Sequence, residues 1–398
     1  MFILILFFSS LFIYLLYNFL FLSRMREPRQ QAGAFRNGVS IIICAKNELE
    51  NLKANLESWT SQNLENVEVV VVDDGSGDGT TEFLESAEQQ GLIKLATTFA
   101  KATAVKDWQI GKLANDEEMY RSANDLSNRQ QISRSTHQQI DPGKREALLL
   151  GARQAKHDIL LLTDADCSPA SNQWAERMTA PFQNQEIDLV LGYGPYRADG
   201  SGLNAFIRLE TLATASLYLG AARMGLAYMG VGRNLAVRKD KLIQVLESAN
   251  WKSKGGDDDE IVQRIATNKN VETVSHPDSF SWSEAKKTLS SYLIQKRRHI
   301  EASEFYSLKA KVIAGLFPIS KIALDISLLI VFLMGYGFGY GFIWLSASII
   351  RWFILYRNNI HLQSGLAVHE IVLIDFTWGL YYLVSPVWLY IFKSDTWK

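Results

Sequence analysis

The sequence predicts an α/β protein whose mostly parallel β-sheet carries helices on both faces and is flanked by transmembrane helices. Strand-like and helix-like segments alternate through the middle of the chain, an order that is typical of a parallel sheet with covering helices. Hydrophobic residues make up 47% of the 398 residues and gather at the two ends. This uneven distribution is typical of a membrane protein with a soluble middle.

Residues 1–22 form the predicted N-terminal membrane anchor. They are dominated by Phe, Leu, Ile and Tyr and are long enough to cross a bilayer. Because they lack a basic leading region and a small-residue cleavage site, we expect an anchor rather than a cleaved signal peptide. By the positive-inside rule, the arginines that follow directly predict a cytoplasmic location for the next domain. They are Arg24, Arg26 and Arg29.

Residues 37–301 are the predicted cytoplasmic domain. Residues 99–140 depart from its alternating pattern, since they are polar and too long for a plain connection. We interpret them as a partly helical insertion, for which a substrate lid is one option. Short β-branched or apolar runs predict strands at 39–45, 67–72, 93–97, 157–163, 187–193 and 235–237. Helical patterns lie at 51–59, 145–155, 174–182, 203–226, 261–266 and 288–301.

The composition excludes several classes of protein. With a formal net charge of −1, the chain lacks the basic excess of a nucleic-acid-binding surface, so we expect no nucleic-acid partner. Its two cysteines, Cys44 and Cys167, are too few for a disulfide scaffold or a four-cysteine zinc site. Both lie in predicted strands or at their ends, so we expect buried or half-buried thiols.

Residues 312–392 form the predicted C-terminal membrane region of about three helices. We place two spans in residues 312–355 and one in residues 371–392. Lys321 and Asp325 lie four residues apart in the first span, so they face the same side and are expected to pair. An alternative interprets residues 309–321 as an amphipathic helix at the membrane surface.

Acidic or amide side chains follow three of the predicted strands. Because the carboxyl ends of parallel strands meet at one edge of a sheet, we expect these side chains to share a cleft. The three strand ends are Asn47–Glu48, Asp73–Asp74 and Asp164–Asp166.

Asp164 and Asp166 are the predicted metal ligands. They are two residues apart in an extended chain, so their carboxylates point the same way. Such oxygen ligands suit Mg²⁺ or Mn²⁺, usually shared with substrate phosphates. A competing interpretation makes residues 74–85 a calcium loop of the EF-hand type. That loop needs a preceding helix, whereas the run at 67–72 favours a strand.

Two further charged clusters lie outside these strand ends. Asp257–Glu260 is either a helix N-terminus favoured by the macrodipole or the source of a general base. A base is possible because neighbouring like charges raise the proton affinity of at least one member. Lys296–Arg298 either marks the cytoplasmic flank of a membrane span or binds phosphate, for which arginine is suited.

In this order the motifs resemble those of the membrane-bound family 2 glycosyltransferases with a GT-A fold. This is the group that includes the cellulose, chitin and hyaluronan synthases. The resemblance runs from about residue 39 to residue 301. It rests on the strand end Ala45–Glu48, the D-D-x-S-x-D-x-T turn at Asp73–Thr80, the G-K-x-x-A-L helix start at Gly143–Leu148, the D-x-D at Asp164–Asp166, the E-D-x-x-L-x-x-R-like run Asp257–Arg264 and the Q-x-x-R-W-like run Gln295–His299.

The resemblance implies a role for each motif. Asp164 and Asp166 would hold Mg²⁺ or Mn²⁺ on the donor diphosphate, Asp258 would be the catalytic base, and Arg298 would pair with the pyrophosphate. The acceptor side would be formed by Asp257, Gly232, Asn234 and His299. The donor-binding residues would be Ala45, Asn47, Glu48, Asp73, Asp74, Lys144, Asp164, Gln295 and Arg298.

The implied activity is an inverting glycosyltransferase on the cytoplasmic face of the cell membrane. It would move a sugar from a nucleotide-diphosphate sugar, expected to be a UDP-sugar, to a hydroxyl of a membrane-associated lipid or glycan. Asp257 stands where the family motif has Glu, a modest change. His299 stands where the motif has Trp, which in processive synthases helps to form the acceptor end of the site, so this departure argues against processive synthesis. Two alternatives stay open: a processive polysaccharide synthase and a catalytically inactive membrane scaffold.

Overall fold

The computed structural model describes residues 1–24, 38–98, 143–248, 251 and 257–391. The predicted insertion at 99–140 lies outside these residues, as do Arg26 and Arg29. The strands are β1 Val39–Ala45, β2 Val67–Asp73, β3 Lys94–Thr97, β4 Ile159–Asp164, β5 Cys167–Pro169, β6 Leu189–Leu191, β7 Leu235–Arg238, β8 Val271–Thr273 and β9 Ser281–Ser283. The helices are α1 Phe2–Leu20, α2 Leu49–Thr60, α3 Thr80–Gln89, α4 Lys144–Gln154, α5 Trp174–Thr179, α6 Gly202–Ala222, α7 Lys239–Leu246, α8 Asp257–Ile265, α9 Leu289–Ser303, α10 Leu308–Leu333, α11 Gly339–His361 and α12 Val368–Ile391.

Seven strands form one sheet in the order β3-β2-β1-β4-β7-β6-β8. β1 pairs in parallel with β2 and β4, and β2 pairs in parallel with β3. β7 runs antiparallel to β4 and β6, while β6 and β8 are parallel. The prediction of a mostly parallel sheet is confirmed. Val and Ile dominate β1 and β2 because branched side chains pack well on a pleated, buried surface.

Side chains of β1 alternate between two hydrophobic layers, one on each face of the sheet. Ile41 and Ile43 pack in the layer that contains Trp59 of α2, whereas Ile42 packs in the layer that contains residues of α4 and α6. The strand period of two places successive side chains on opposite faces. At Gly151 of α4, a Cβ would lie 2.8 Å from Ile42 Cγ2, so the glycine permits close packing of helix on sheet.

Three helices in the described part of the chain are long and apolar enough to cross a membrane: α1 with the short turn after it, α10 and α11. α10 is continuous, so residues 309–321 do not form a separate helix. The predicted pair Lys321–Asp325 is confirmed, with Nζ 2.6 Å from Oδ2. A second pair joins Arg351 of α11 to Asp375 of α12, Nε to Oδ1 at 2.7 Å, with both side chains buried.

α6 joins the α/β domain to the long apolar helices. Asn358 Nδ2 of α11 donates to the carbonyl of Leu22 and to Ser216 Oγ of α6, both at 2.9 Å. A Cβ at Gly220 of α6 would lie 2.1 Å from the carbonyl oxygen of Phe21. The glycine therefore allows the backbone just after α1 to contact α6 directly. The small residues of α6 permit this close packing.

Some predicted boundaries shift by a few residues. The helix predicted at 174–182 ends at Thr179 and continues as a 3₁₀ turn, because Pro181 has no N–H for the α-helical hydrogen bond. The helix predicted at 203–226 ends at Ala222. The basic helix starts one residue later than predicted, because Thr288 caps it by accepting from Ser291 N.

Candidate active site

The carboxyl ends of β1, β2 and β4 lie side by side. Ala45 is in register with Asp73 across one strand pair, and Cys44 is in register with Asp164 across the other. The structure therefore brings the three predicted strand ends to one edge of the sheet. Cys44 is half-buried and Cys167 is buried, as predicted.

The turn after β2 is held together by its own acidic side chains. Asp73 is 2% exposed and accepts from Ser76 Oγ and Thr81 Oγ1, each at 2.6 Å. Asp74 is 8% exposed and accepts from Thr98 Oγ1 at 3.0 Å. Asp73 therefore shapes the turn that follows β2, and Asp74 connects this turn to the end of β3. Because β2 is a strand, the calcium-loop alternative is wrong.

The end of β1 is bonded to this turn. Asn47 has a φ of 56°, a left-handed conformation that asparagine tolerates. Its N–H donates to Ser76 Oγ, and its Oδ1 accepts from Gly77 N, both at 2.8 Å. Burial raises the pKa of Glu48, and the charge of Asp166 raises it further. Glu48 is therefore electrostatically coupled to the acidic pair after β4.

Asp164, Asp166 and Cys167 form a compact group, with one ligand atom from each lying within 4.8 Å of the others. Burial raises the pKa of Cys167, so its thiol stays protonated and the two carboxylates are the available ligands. Lys144 Nζ lies 2.8 Å from Asp164 Oδ1. Burial raises the pKa of Asp164, but the charge and hydrogen bond of Lys144 outweigh burial, so Asp164 stays ionised.

Asp258 lies in the first turn of α8. Gly232 N donates to Asp258 Oδ2 at 2.6 Å, and a Cβ at position 232 would lie 2.3 Å from Asp258 Oδ1. Asp164 first, and Asp258 after it, raise the pKa of Lys144. The two carboxylates therefore share one electrostatic site. Asp257 begins α8, and its side chain lies outside the described part of the chain.

Asp259 differs from Asp258 in its surroundings. It accepts hydrogen bonds from the Tyr306 hydroxyl and from Gly230 N. Burial raises the pKa of Asp259 to about 7, and the neighbouring charge of Asp258 contributes in the same direction. The acidic cluster therefore does contain a member with raised proton affinity, namely Asp259.

Asn234 does not face the acceptor side, and the prediction for this residue is corrected. It is fully buried, and its Oδ1 accepts from Trp174 Nε1 at 3.0 Å. Its Nδ2 donates to the carbonyls of Tyr193 and Ser279 at 2.7 and 2.8 Å. With its amide fully used inside the protein, Asn234 supports the 230–234 loop rather than a ligand.

One face of α9 lines a cavity beside the 230–234 loop. Gln295, Lys296 and His299 contribute to its wall. Partial desolvation and the positive charges of Lys296, Arg233 and Arg298 lower the pKa of His299, so its imidazole is neutral at physiological pH. Arg298 is exposed. Within the run Gln295–His299, the structure thus places three side chains in the cavity wall and leaves Arg298 accessible to solvent.

Arg233 belongs to the site although no motif pointed to it. Its guanidinium lies over the Tyr196 ring, 4.7 Å from the centroid, and its Nε donates to the Gly194 carbonyl at 3.2 Å. Its charge helps to lower the pKa values of both Asp164 and His299. Arg233 therefore lies between the acidic pair and the cavity. Arg233 is not part of a recognisable sequence pattern, so it could not be predicted from the sequence.

A mostly parallel sheet with carboxylates at adjacent strand ends, flanked by apolar helices, is the arrangement of a GT-A type glycosyltransferase. The family model described as glycosyl transferase family 2 matches residues 40–105. The model described as glycosyltransferase like family 2 matches residues 115–302. Together they cover more than half of the chain, which is therefore an enzyme of glycosyltransferase family 2.

Individual relatives agree with this assignment. Glycosyltransferase AglE of Haloferax volcanii is 29% identical over 221 residues, which are 55% of this chain and 58% of AglE. The match thus spans less than two thirds of that relative.

Solved structures are similar as well. The mannosyltransferase PcManGT of Pyrobaculum calidifontis, in complex with GDP-Man and Mn²⁺, has a TM-score of 0.56 at 15% identity, over 95% of this chain and 98% of its own. Glucosyl-3-phosphoglycerate synthase of Mycobacterium tuberculosis, in complex with Mn²⁺, UDP and phosphoglyceric acid, has a TM-score of 0.41 at 15% identity, over 67% of this chain and 78% of its own. The similarity to PcManGT shows that the shared fold extends over nearly the whole chain.

Proposed function

We propose that this enzyme transfers a sugar, with inversion, from a nucleotide-diphosphate sugar to a hydroxyl of a membrane-associated lipid or glycan. The observation that carries the proposal is the position of the Asp258 carboxylate. It is held by Gly232 N–H beside the cavity, and it shares an electrostatic site with Asp164 through Lys144. A base and a diphosphate-binding group next to one cavity are what such a transfer needs.

Asp164 and Asp166 would hold Mg²⁺ or Mn²⁺. Their carboxylates fit a hard divalent cation, since both supply oxygen ligands within a span of 4.8 Å and Asp166 is exposed. The Mn²⁺ and GDP-Man in the PcManGT structure support this assignment. When bound, the ion would stabilise the negative charge of the leaving diphosphate. Lys144 and Arg298 would add positive charge beside the diphosphate.

The donor nucleoside would contact the turns that follow β1 and β2. Because Asp73 and Asp74 are buried and bonded to hydroxyls, we assign them to shaping this surface. Asn47 is exposed at the same edge, and Glu48 is half-buried there. We propose a UDP-sugar as donor, with a GDP-sugar as the second donor to be assayed because of the ligand in PcManGT.

The chemical step would use Asp258 as general base. Its Oδ2 is occupied by Gly232 N–H, which leaves Oδ1 to take the proton of the acceptor hydroxyl. As that oxygen bonds to the anomeric carbon, the bond from this carbon to the diphosphate oxygen breaks on the opposite face, and the configuration inverts. A positioned base of this kind contributes about 10²–10⁴-fold to the rate.

The membrane helices would hold the catalytic domain at the cytoplasmic face. Three helices of spanning length in the described residues, and Arg24 directly after the first, support an integral membrane location with this orientation. The acceptor is then expected at the membrane surface, where a lipid-borne hydroxyl can reach the site.

The test of the base is the variant Asp258→Asn, assayed for nucleotide release with purified full-length protein. We expect release to fall by about 10²–10⁴-fold while the donor dissociation constant stays within a factor of about three. Asp240→Asn is the matched control, since Asp240 is exposed and follows β7 near the start of β4, at the opposite edge of the sheet. Near-normal turnover of Asp258→Asn with intact donor binding would refute the assignment.

The test of the metal pair is calorimetry of UDP and GDP binding with and without Mn²⁺. We expect Mn²⁺-dependent binding by the wild type and none by Asp166→Ala, because one of the two carboxylates is lost. Metal dependence that persists in Asp166→Ala would contradict its role. Failure of the wild type to bind either nucleotide would favour the scaffold alternative.

A further inference from the structure

The cavity beside the 230–234 loop contains an ion pair between two helices, in which the carboxylate is buried and the lysine is half-buried. Glu210 of α6 and Lys296 of α9 both line it, and Lys296 Nζ lies 2.7 Å from Glu210 Oε2. Glu210 is only 7% exposed. Burying a carboxylate costs free energy unless the charge is paired and hydrogen-bonded, so the partners of Glu210 are informative.

Both contacts that the described residues make to this carboxylate fall on the same oxygen. Tyr292 OH donates to Glu210 Oε2 at 2.6 Å, and Lys296 pairs with Oε2 as well. Glu210 Oε1 is left as a hydrogen-bond acceptor for a molecule in the cavity. Tyr292 OH also lies 3.1 Å from Tyr381 OH of α12, so the carboxylate is linked to a helix of the C-terminal membrane region.

The remaining walls combine aromatic faces with groups that form hydrogen bonds. Besides Glu210 and Lys296, they offer threonine hydroxyls, an amide and the neutral imidazole of His299. Aromatic faces suit the C–H face of a sugar ring, and paired donors and acceptors suit its hydroxyls. The polar groups and aromatic rings are Thr211, Thr214, Gln295, Tyr193, Tyr196, Tyr218 and Tyr292.

A phosphate fits these walls less well than a neutral sugar does. The charge of Lys296 is already balanced by Glu210, and the available carboxylate oxygen would repel an anion. Arg233 is a wall residue with positive charge, but it lies toward Asp164, where the donor diphosphate is proposed.

The cavity also opens next to the catalytic base. Val231 and Arg233 line it, and the residue between them, Gly232, donates its N–H to Asp258. A hydroxyl of a molecule in the cavity would therefore be close to the Asp258 carboxylate.

We propose that this cavity is the acceptor subsite, that it takes a neutral sugar ring of a membrane-borne glycan, and that Glu210 determines this specificity. The inference rests on the proposed function, because the sugar hydroxyl would be the nucleophile. Its proton passes to Asp258, its oxygen bonds to the anomeric carbon of the donor, and the nucleoside diphosphate leaves. Glu210 Oε1 would accept from another hydroxyl of the same ring.

The experiment measures nucleotide release by the full-length protein in phosphatidylcholine nanodiscs, so that no sugar-bearing detergent competes for the cavity. UDP-glucose and GDP-mannose are the donors, each with Mn²⁺. The acceptor probes are methyl glucoside, methyl mannoside and methyl N-acetylglucosaminide, compared with glycerol 3-phosphate and hexyl phosphate. Release without an acceptor reports donor hydrolysis and is recorded for every variant.

We expect a neutral glycoside, and neither phosphate, to increase nucleotide release in a saturable way. Glu210→Gln should raise the KM for that glycoside at least tenfold, while kcat stays within threefold and donor hydrolysis is unchanged. Glu210→Asp keeps the charge but withdraws the carboxylate, and it should also raise KM. The control is Glu301→Gln, which removes an exposed ion pair with Arg297 on the same helix and should leave KM unchanged.

Three results would overturn the inference. The first is stimulation by a phosphate probe with none by any glycoside. The second is a pair of Glu210 variants whose KM matches that of Glu301→Gln. The third is Asp258-dependent donor hydrolysis that no glycoside increases, which would leave the proposed function standing. If the wild type releases no nucleotide from either donor, the proposed function and the inference fail together.

Discussion

Gly232→Ala is the substitution whose effect the structure defines most closely. The new Cβ would lie 2.3 Å from Asp258 Oδ1 and 2.5 Å from its Cγ, whereas real Cβ contacts essentially never fall below 3.0 Å. The carboxylate must therefore move by at least 0.7 Å, the difference between 3.0 and 2.3 Å, or give up its bond to the N–H of residue 232.

The expected consequence is a loss of turnover with little loss of donor binding. A displacement of about 1 Å of a catalytic group can reduce the rate by about 10²-fold, so we expect kcat to fall by about 10–100-fold. The donor side is proposed at the ends of β1, β2 and β4, so the donor KM should stay within about threefold. Nucleotide release at saturating donor is the assay.

Gly202→Ala is the matched control for this substitution. Gly202 begins α6, and a Cβ there would meet nothing within 4 Å. It should retain wild-type turnover, because alanine is also the better helix former. A Gly232→Ala enzyme with kcat within threefold of the control would show that Asp258 need not occupy the observed position, and the assignment of the base would fail.

Three further substitutions test other parts of the structure. Lys144→Met removes the cation 2.8 Å from Asp164, so the pKa of Asp164 should rise. The midpoint of Mn²⁺ binding, followed by electron paramagnetic resonance, should therefore move to higher pH, and an unchanged midpoint would contradict the coupling. Asp259 has a folded-state pKa of about 7 against an ordinary value of 3.8, so the wild type loses stability as the pH rises through this interval. Asp259→Asn should therefore be more thermally stable than the wild type at pH 8 but not at pH 4. The same difference in melting temperature at both pH values would contradict this. Asp375→Asn removes the charge that pairs with the buried Arg351 and should destabilise the fold by about 3–5 kcal/mol, measured as the free energy of unfolding in denaturant. The double variant Arg351→Met with Asp375→Leu should lose less stability. Equal losses would show that the two residues are not coupled.

The strand ends could be predicted because their signals are local. A β-branched run followed at once by acidic residues defines both the strand and the position of the acids at its end. Parallel pairing of neighbouring strands then brings Asp73 and Asp164 to one edge, as the register shows. The pairing of Lys321 with Asp325 could be predicted for a similar reason, since four residues are about one helical turn.

Other members of the site could not be assigned in this way. Asn234 looked available for a ligand, yet its amide is used by Trp174, Tyr193 and Ser279, which are distant in sequence. The acidic cluster was expected to contain one group of raised pKa, and the spacing did not tell which. Asp259 has a raised pKa because the fold buries its carboxyl, and the hydrogen bond from Tyr306 acts in the opposite direction.

The sequence by itself determined the alternation of strands and helices, the apolar ends and the acidic strand ends. Each of these is written in the period or the order of neighbouring residues. Only the tertiary structure decided that Gly232 holds Asp258, that Arg233 lies between the acidic pair and a cavity, and that Glu210 faces Lys296 there. The physical reason is that distance and burial set the strength of a hydrogen bond or a charge pair. Both depend on how segments far apart in the chain pack together.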